Sequence, residues 1–188
     1  MSALVLVAAP ATEPVTLAEV KAHLRIDHTD DDALLTGLME AARLHLEGKD
    51  GILNRAFVTQ TWDYMVDAFP CGVLQLPLSP LQSVTSIKYI DTNGAEQTLD
   101  SSKYIVDAKS APARIIPAYN EFWPATRWQV NAVTVRFVAG YGPAASDVPR
   151  PIRTGLLGLI ADMYEHRESS VAMPQWLKAL LGPYRVWM

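Results

Sequence analysis

The hydrophobic period of this chain changes twice, and that change limits its fold more than any other feature. From Thr16 to about residue 48, apolar side chains recur every three and four positions, the spacing of amphipathic helices. From Phe57 to Ala139 the sequence is rich in Val, Ile, Thr, Tyr and Trp punctuated by Pro and Gly, the pattern of short strands. After Pro143 the helical spacing returns. The expected class is α+β: a helical platform made by N-terminal helices and a long C-terminal helix, with an inserted antiparallel β-sandwich or barrel-like region.

Local signals set the helices. Thr16 and Glu19 form a Ser/Thr-x-x-Glu capping box, and Leu17, Val20 and Leu24 follow at helical spacing to an end near Arg25. Asp30, Asp31 and Asp32 favour a second start, because carboxylates are stabilised at the positive end of a helix. Leu34, Leu35, Leu38, Met39, Ala42 and Leu46 then make one apolar face, with Gly48 and Gly51 as stops. The third helix begins at Asp147 or at the Pro149–Pro151 pair and fades near Arg167 to Ser170. Its buried stripe is Ile152, Leu156, Leu159, Ile160 and Met163. Gly155 and Gly158 lie inside it at a cost of about 1 kcal/mol each relative to alanine. A close helix–helix approach would offset that cost, and residues 30–48 are the expected partner.

In the β region, Val58, Gln60, Trp62, Tyr64 and Val66 share one strand face, with Thr59, Thr61 and Asp63 on the other. A short strand runs from Val73 to Leu76. Val84–Asp91 and Ala95–Leu99 flank Thr92-Asn93-Gly94, and Asn-Gly is a strong hairpin signal. Tyr104–Asp107, Arg114–Ile116 and Val130–Ala139 bring the total to six or seven strands.

Both ends of the chain are apolar. The run Ala3–Ala11 has no preceding Lys or Arg and is interrupted by Pro10, so it reads as neither signal peptide nor membrane span, and a soluble protein is expected. At the other end, Gln175–Leu181 can make two helical turns before Gly182-Pro183, followed by Tyr184, Val186 and Trp187. Two readings stand for this tail: it folds back on its own domain, or it is an arm that docks into another subunit or protein.

Chemistry-bearing motifs are scarce. No phosphate-binding glycine loop, nucleophile elbow, H-E-x-x-H or dinucleotide fingerprint occurs. Cys71 is the single cysteine, which excludes an intrachain disulfide and suits an intracellular protein. Lying between Pro70 and Gly72 with no evident histidine partner, it reads as an incidental thiol. His23, Asp27, His28 and Asp30–Asp32 form the best metal cluster, but their spacing matches no standard loop, and no metal or other cofactor is expected. His166 reads as a helix C-terminal imidazole rather than a catalytic one. The net charge is −4, and only Arg114 and Arg127 lie near Trp123 and Trp128, too few cations for a dedicated nucleic-acid surface. Charged residues are 19% of the chain against roughly 25% in ordinary soluble domains, so part of the surface is expected to be covered by partners.

The series Leu74-Gln75-Leu76-Pro77-Leu78-Ser79-Pro80-Leu81-Gln82-Ser83-Val84-Thr85-Ser86-Ile87 resembles a stretch of the head–tail connector proteins of long-tailed bacteriophages. The likeness continues through Tyr89-Ile90-Asp91 to Gly94, Tyr104–Asp107, Arg114–Pro117, Trp123-Pro124 and Val133–Gly142. It extends to Val148-Pro149 and to a helix closing in Tyr164-Glu165-His166-Arg167-Glu168. At the front, Thr16–Lys21 and Asp30–Asp32 before an Ala-Ala-Arg helix also resemble that family. The resemblance implies a non-enzymatic virion protein, an adaptor or head-completion component. About twelve copies would form a ring at the head–tail junction, after a host-cytoplasmic stage before assembly. The ring would bind the portal protein, meet the next head-closure or tail component, and let double-stranded DNA pass through its lumen without specific contacts; no membrane is involved.

On that reading the parts are residues 1–55 and 147–170 as platform, 56–146 as the β insertion, and 171–188 as the tail. Leu34, Leu38, Ile152, Leu156, Leu159 and Met163 are expected to build the platform and its ring contacts. The portal-docking tail is expected to use Trp176, Leu177, Leu180, Leu181, Tyr184 and Trp187. The alternative is a monomeric β-domain binding module recognising carbohydrate or a host protein. A metal-dependent enzyme using His23, His28 and Asp30–Asp32 is a further rival.

Overall fold

Thr16 and Glu19 bond reciprocally as the capping box requires: the Thr16 amide donates to the Glu19 carboxylate at 2.8 Å, and the Glu19 amide donates to the Thr16 hydroxyl at 3.2 Å. This starts α1 (Leu17–Leu24), which Arg25 closes in the left-handed conformation at φ 59°. The computed structural model describes residues 2–166 and 173–187. They fall into two compact units. One, helical, comprises residues 10–58, 141–166 and 173–186; the other, a β unit, comprises residues 2–9, 59–140 and Trp187.

In the helical unit, α1 is followed by α2 (Asp32–Leu46), and an ion pair of 2.7 Å between Lys21 and Asp32 spans the acidic turn. α3 (Arg150–Glu165) begins after Pro149, with Pro151 in its first turn, where a missing amide costs nothing. The expected fade of this helix over Arg167–Ser170, the end of the Tyr164–Glu168 run and the 170/171 boundary lie outside the described residues. α4 (Gln175–Leu181) follows. One core joins Val20, Leu35, Met39, Ala42 and Leu46 to Ile152, Leu156, Leu159 and Ile160, and to Leu177 and Leu181 of α4.

The glycines of α3 serve a different partner from the one expected. A Cβ on Gly155 would lie 3.0 Å from a Leu177 methyl and 3.1 Å from a Leu181 methyl, and one on Gly158 would strike the Trp176 ring. The close approach is therefore made by α4, not by residues 30–48. Trp176, Leu177 and Leu181 of α4 are the side chains that face these two glycines.

A charged network closes the unit. Arg43 donates to Glu13 at 2.8 Å and to Glu47 at 2.9 Å, and Glu47 accepts the Phe57 amide at 2.6 Å. Burial opposes the Arg43 charge, yet the two carboxylates outweigh it and raise the guanidinium above its ordinary pKa. The Phe57 carbonyl accepts the Tyr141 amide at 2.8 Å, so the outgoing and returning chains run side by side.

The β unit contains two antiparallel sheets. The larger has the order β1 (Ser2–Ala8), β2 (Gln60–Val66), β8 (Val133–Ala139), β4 (Leu81–Ile90) and β5 (Glu96–Thr98). The smaller has the order β3 (Leu74–Gln75), β7 (Arg114–Pro117) and β6 (Tyr104–Asp107). Among the described residues both sheets are open, so the unit is not a closed barrel. The Asn93-Gly94 hairpin forms as expected: Gly94 takes φ 90°, and the Asp91 carboxylate accepts the Asn93 and Ala95 amides. At the middle of the large sheet, Asp63 and Arg136 face each other on β2 and β8 and form a two-pronged bond of 2.8 Å per prong.

β1 corrects the sequence reading, which placed residues 1–55 with the helices. Its apolar run pairs with β2, from Ser2 opposite Val66 to Leu6 opposite Trp62. Nothing local distinguishes that run from a core segment of another kind; only a partner strand more than fifty residues away makes it a strand.

Two outcomes test these contacts. Arg43→Met leaves two carboxylates facing an apolar group, and stability is expected to fall by about 3–5 kcal/mol in urea titration. Glu19 is held below its ordinary carboxyl pKa of 4.5, first by the Thr16 amide, against a smaller opposing effect of burial, with the Thr16 hydroxyl and Arg153 adding to the depression. Its contribution is present above that ordinary value and is lost as pH falls through the depressed one. Glu19→Gln is therefore expected to flatten the loss of thermal stability below pH 5, and an unchanged acid limb would count against this role.

Candidate functional site

The residues expected to dock the portal divide sharply in the structure. Leu177 and Leu181 are fully buried in the core of the helical unit, and Leu180 and Tyr184 pack partly against it. The segment after α4 is tied down as well. The Val186 amide donates to the Leu53 carbonyl at 3.0 Å, Asn54 donates to the Val186 carbonyl at 2.9 Å, and Arg55 donates to the Tyr184 carbonyl. Of the two readings of the tail, folding back onto its own domain is the one observed. Leu177 and Leu181 are therefore core residues in this structure, where α4 buries its apolar face in the helical unit. Trp176 stays half-exposed over Gly158, and Trp187 is exposed.

The residues expected to build the platform and its ring contacts divide likewise. Ile152, Leu156 and Leu159 are fully buried in the core of the helical unit. Leu38 and Met163 are partly buried against the same core, and Leu34 is exposed.

The titratable cluster at the front is occupied with structural work. Asp32 pairs with Lys21, Asp31 accepts the Tyr164 hydroxyl at 2.7 Å, and His28 lies 4.0 Å from Asp30. Among the described residues no three His, Cys, Asp or Glu side chains are grouped to hold a metal ion. His166 caps the end of α3, its Nδ1 3.2 Å from Asp162. Cys71 is an exposed free thiol.

The segment 118–132 between β7 and β8, in which Trp123 and Trp128 were weighed above only as nucleic-acid contacts, forms an exposed aromatic surface. Tyr119 is 90% exposed, Phe122 86%, Trp128 101% and Val130 76%. Its backbone is nevertheless anchored. Trp123 stacks on Phe69 with centroids 4.8 Å apart and donates to the Gly72 carbonyl at 2.7 Å. The Arg127 amide donates to Ile90 and the Asn131 amide to Asp67, each at 3.0 Å. Two grooves follow the segment, one of about 360 Å³ between Phe69, Pro70, Pro117 and Phe122, the other of about 570 Å³ between Ala68 and residues 126–130. Exposed aromatic groups on a fixed backbone suit protein recognition, since little entropy remains to be lost on docking. The hint in the sequence was the density of aromatics between Tyr119 and Trp128; what separates the structural Trp123 from the exposed Trp128 is the position of Phe69.

These placements predict opposite responses. Leu177→Ala is expected to cost about 2–5 kcal/mol of stability, because it opens a cavity under α4. Trp128→Ser is expected to change stability by no more than about 0.5 kcal/mol. Paired denaturant titrations measure both.

Comparison with known proteins places the chain. Residues 14–121 match the phage gp6-like head-tail connector protein family. No curated protein sequence matches. Among solved structures, a chain from the neck of an empty GTA particle computed with C6 symmetry has a TM-score of 0.83 at 25% identity, covering 99% of this chain and 96% of that one. A chain from the virion of a native gene transfer agent (GTA) particle has a TM-score of 0.82 at 24% identity, covering 98% of this chain and 96% of that one. A chain from the neck of a native GTA particle computed with C12 symmetry has a TM-score of 0.75 at 21% identity, covering 99% and 96%. The family match takes in α1, α2 and the strands from β2 to β7, more than half of the chain, and the same α+β fold recurs in neck proteins. This chain therefore belongs to the phage gp6-like head-tail connector family, a family of structural virion proteins.

Proposed function

We propose that this connector acts as one subunit of a closed ring of about twelve copies at the head–tail junction of a phage or phage-like particle. On this reading the ring binds the portal on one side, meets the next head-closure or tail component on the other, and continues the DNA channel between them. The observation that carries it is the likeness over 99% of the chain to a protein in a particle neck computed with C6 symmetry, supported by the second neck at C12. Closed cyclic rings need heterologous contacts, in which one patch of a subunit meets a different patch of the next. A net charge of −4 suits a channel wall, since few phosphate contacts would form to retard DNA.

The portal contact changes its form. An extended arm carrying Leu177 and Leu181 would take two buried leucines out of the core of the helical unit, so deleting residues 174–188 would perturb folding as well as docking. The portal-facing element proposed here is instead the folded α4 with its exposed Trp176.

Native mass of the chain, alone and mixed with the portal protein of the same particle, tests the proposal. The expected result is a shift to a portal-bound complex containing about twelve copies. A monomer in both samples would overturn it in favour of a β-unit binding module for carbohydrate or a host protein.

A further inference from the structure

Two apolar surfaces of the β unit are left uncovered. The first is the outer edge of β1. Among the described residues β1 pairs only with β2, and its register is unbroken from Ser2 to Leu6 before it slips between Leu6 and Ala8. Val5, Leu6 and Val7 are each nearly half exposed, and no charged side chain occurs before Glu13. Sheet edges are ordinarily guarded by lysine, proline or inward charges, and an unguarded apolar edge is a site for pairing with another chain. The second is the anchored segment 118–132 with Tyr119, Phe122, Trp128 and Val130. Its only charged side chains are Glu121, which pairs with Lys103 at 3.0 Å, and Arg127.

We infer that these two surfaces are the two halves of one contact: the β1 edge of one copy seats against the aromatic segment of the next copy. This rests on the ring reading above. A head-to-tail ring requires two unlike patches on every subunit, and a closed ring covers both of them on every copy. Two apolar patches without excess charge match each other, whereas nucleic acid would need cations that the segment lacks. Uncovered patches of this kind mark interaction sites, and a fully exposed tryptophan on a fixed backbone has the character of an interface anchor.

Photo-crosslinking within the assembled neck reads the contact directly. A benzoylphenylalanine at Leu6, in rings assembled from mixed isotopically light and heavy copies, is expected to give crosslinks to residues 118–132 with mixed labels. Crosslinks to a different neck protein, crosslinks confined to one copy, or none at all would overturn the inference. In parallel, Phe122→Ser with Trp128→Ser is expected to leave the melting temperature of the monomer unchanged. The same pair is expected to raise the concentration for ring assembly by about tenfold or more. A variant that assembles like the parent protein sinks this inference and leaves the ring standing. A parent protein that stays monomeric with and without portal removes the ring and this contact together.

Discussion

The peptide of Phe57 is the point on which the helical unit turns. Its amide donates to Glu47, a carboxylate buried against Arg43, and its carbonyl accepts from Tyr141, where the chain returns after more than eighty residues. An insertion of that length is compatible with one core only if its two crossings are held side by side. The isolated parallel bridge between Val58 and Gly142 continues the same arrangement. The charges are costly to bury, and what makes them tolerable is that Arg43 has two carboxylates and Glu47 has both a guanidinium and an amide.

From this junction the rest of the helical unit follows. α2 and α3 close over a leucine-rich core, and α4 completes it by lying on the two glycines of α3. Here the glycines have a packing reason: a side chain at either position would crowd Leu177 and Leu181 or the Trp176 ring. The segment from α4 to Val186 is therefore part of the helical unit, and Leu177 and Leu181 lie in its core.

The β unit divides its large apolar side chains between core and surface. Phe137, Val135 and Ile87 are buried within the large sheet, and Trp123 is committed to Phe69. The segment that Trp123 anchors then carries Trp128 and Phe122 into solvent. One aromatic of the segment fixes its backbone while its neighbours stay exposed.

Features held by neighbours along the chain were legible in the sequence. The Thr16–Glu19 capping box, the Asn93-Gly94 hairpin, the proline start of α3 and the apolar stripes of α2 and α3 each depend on residues within a turn or two, where stereochemistry leaves little choice. The order and spacing of the β segments likewise pointed to the connector family. The tertiary structure decided what depends on distant partners: the pairing of β1 with β2, the burial of Leu177 and Leu181 against Gly155, and the different fates of Trp123 and Trp128. An apolar residue states only that it will leave water if it can. Which surface receives it is set by loop closure and by the competition for a limited core, and neither is written in any local window of the sequence.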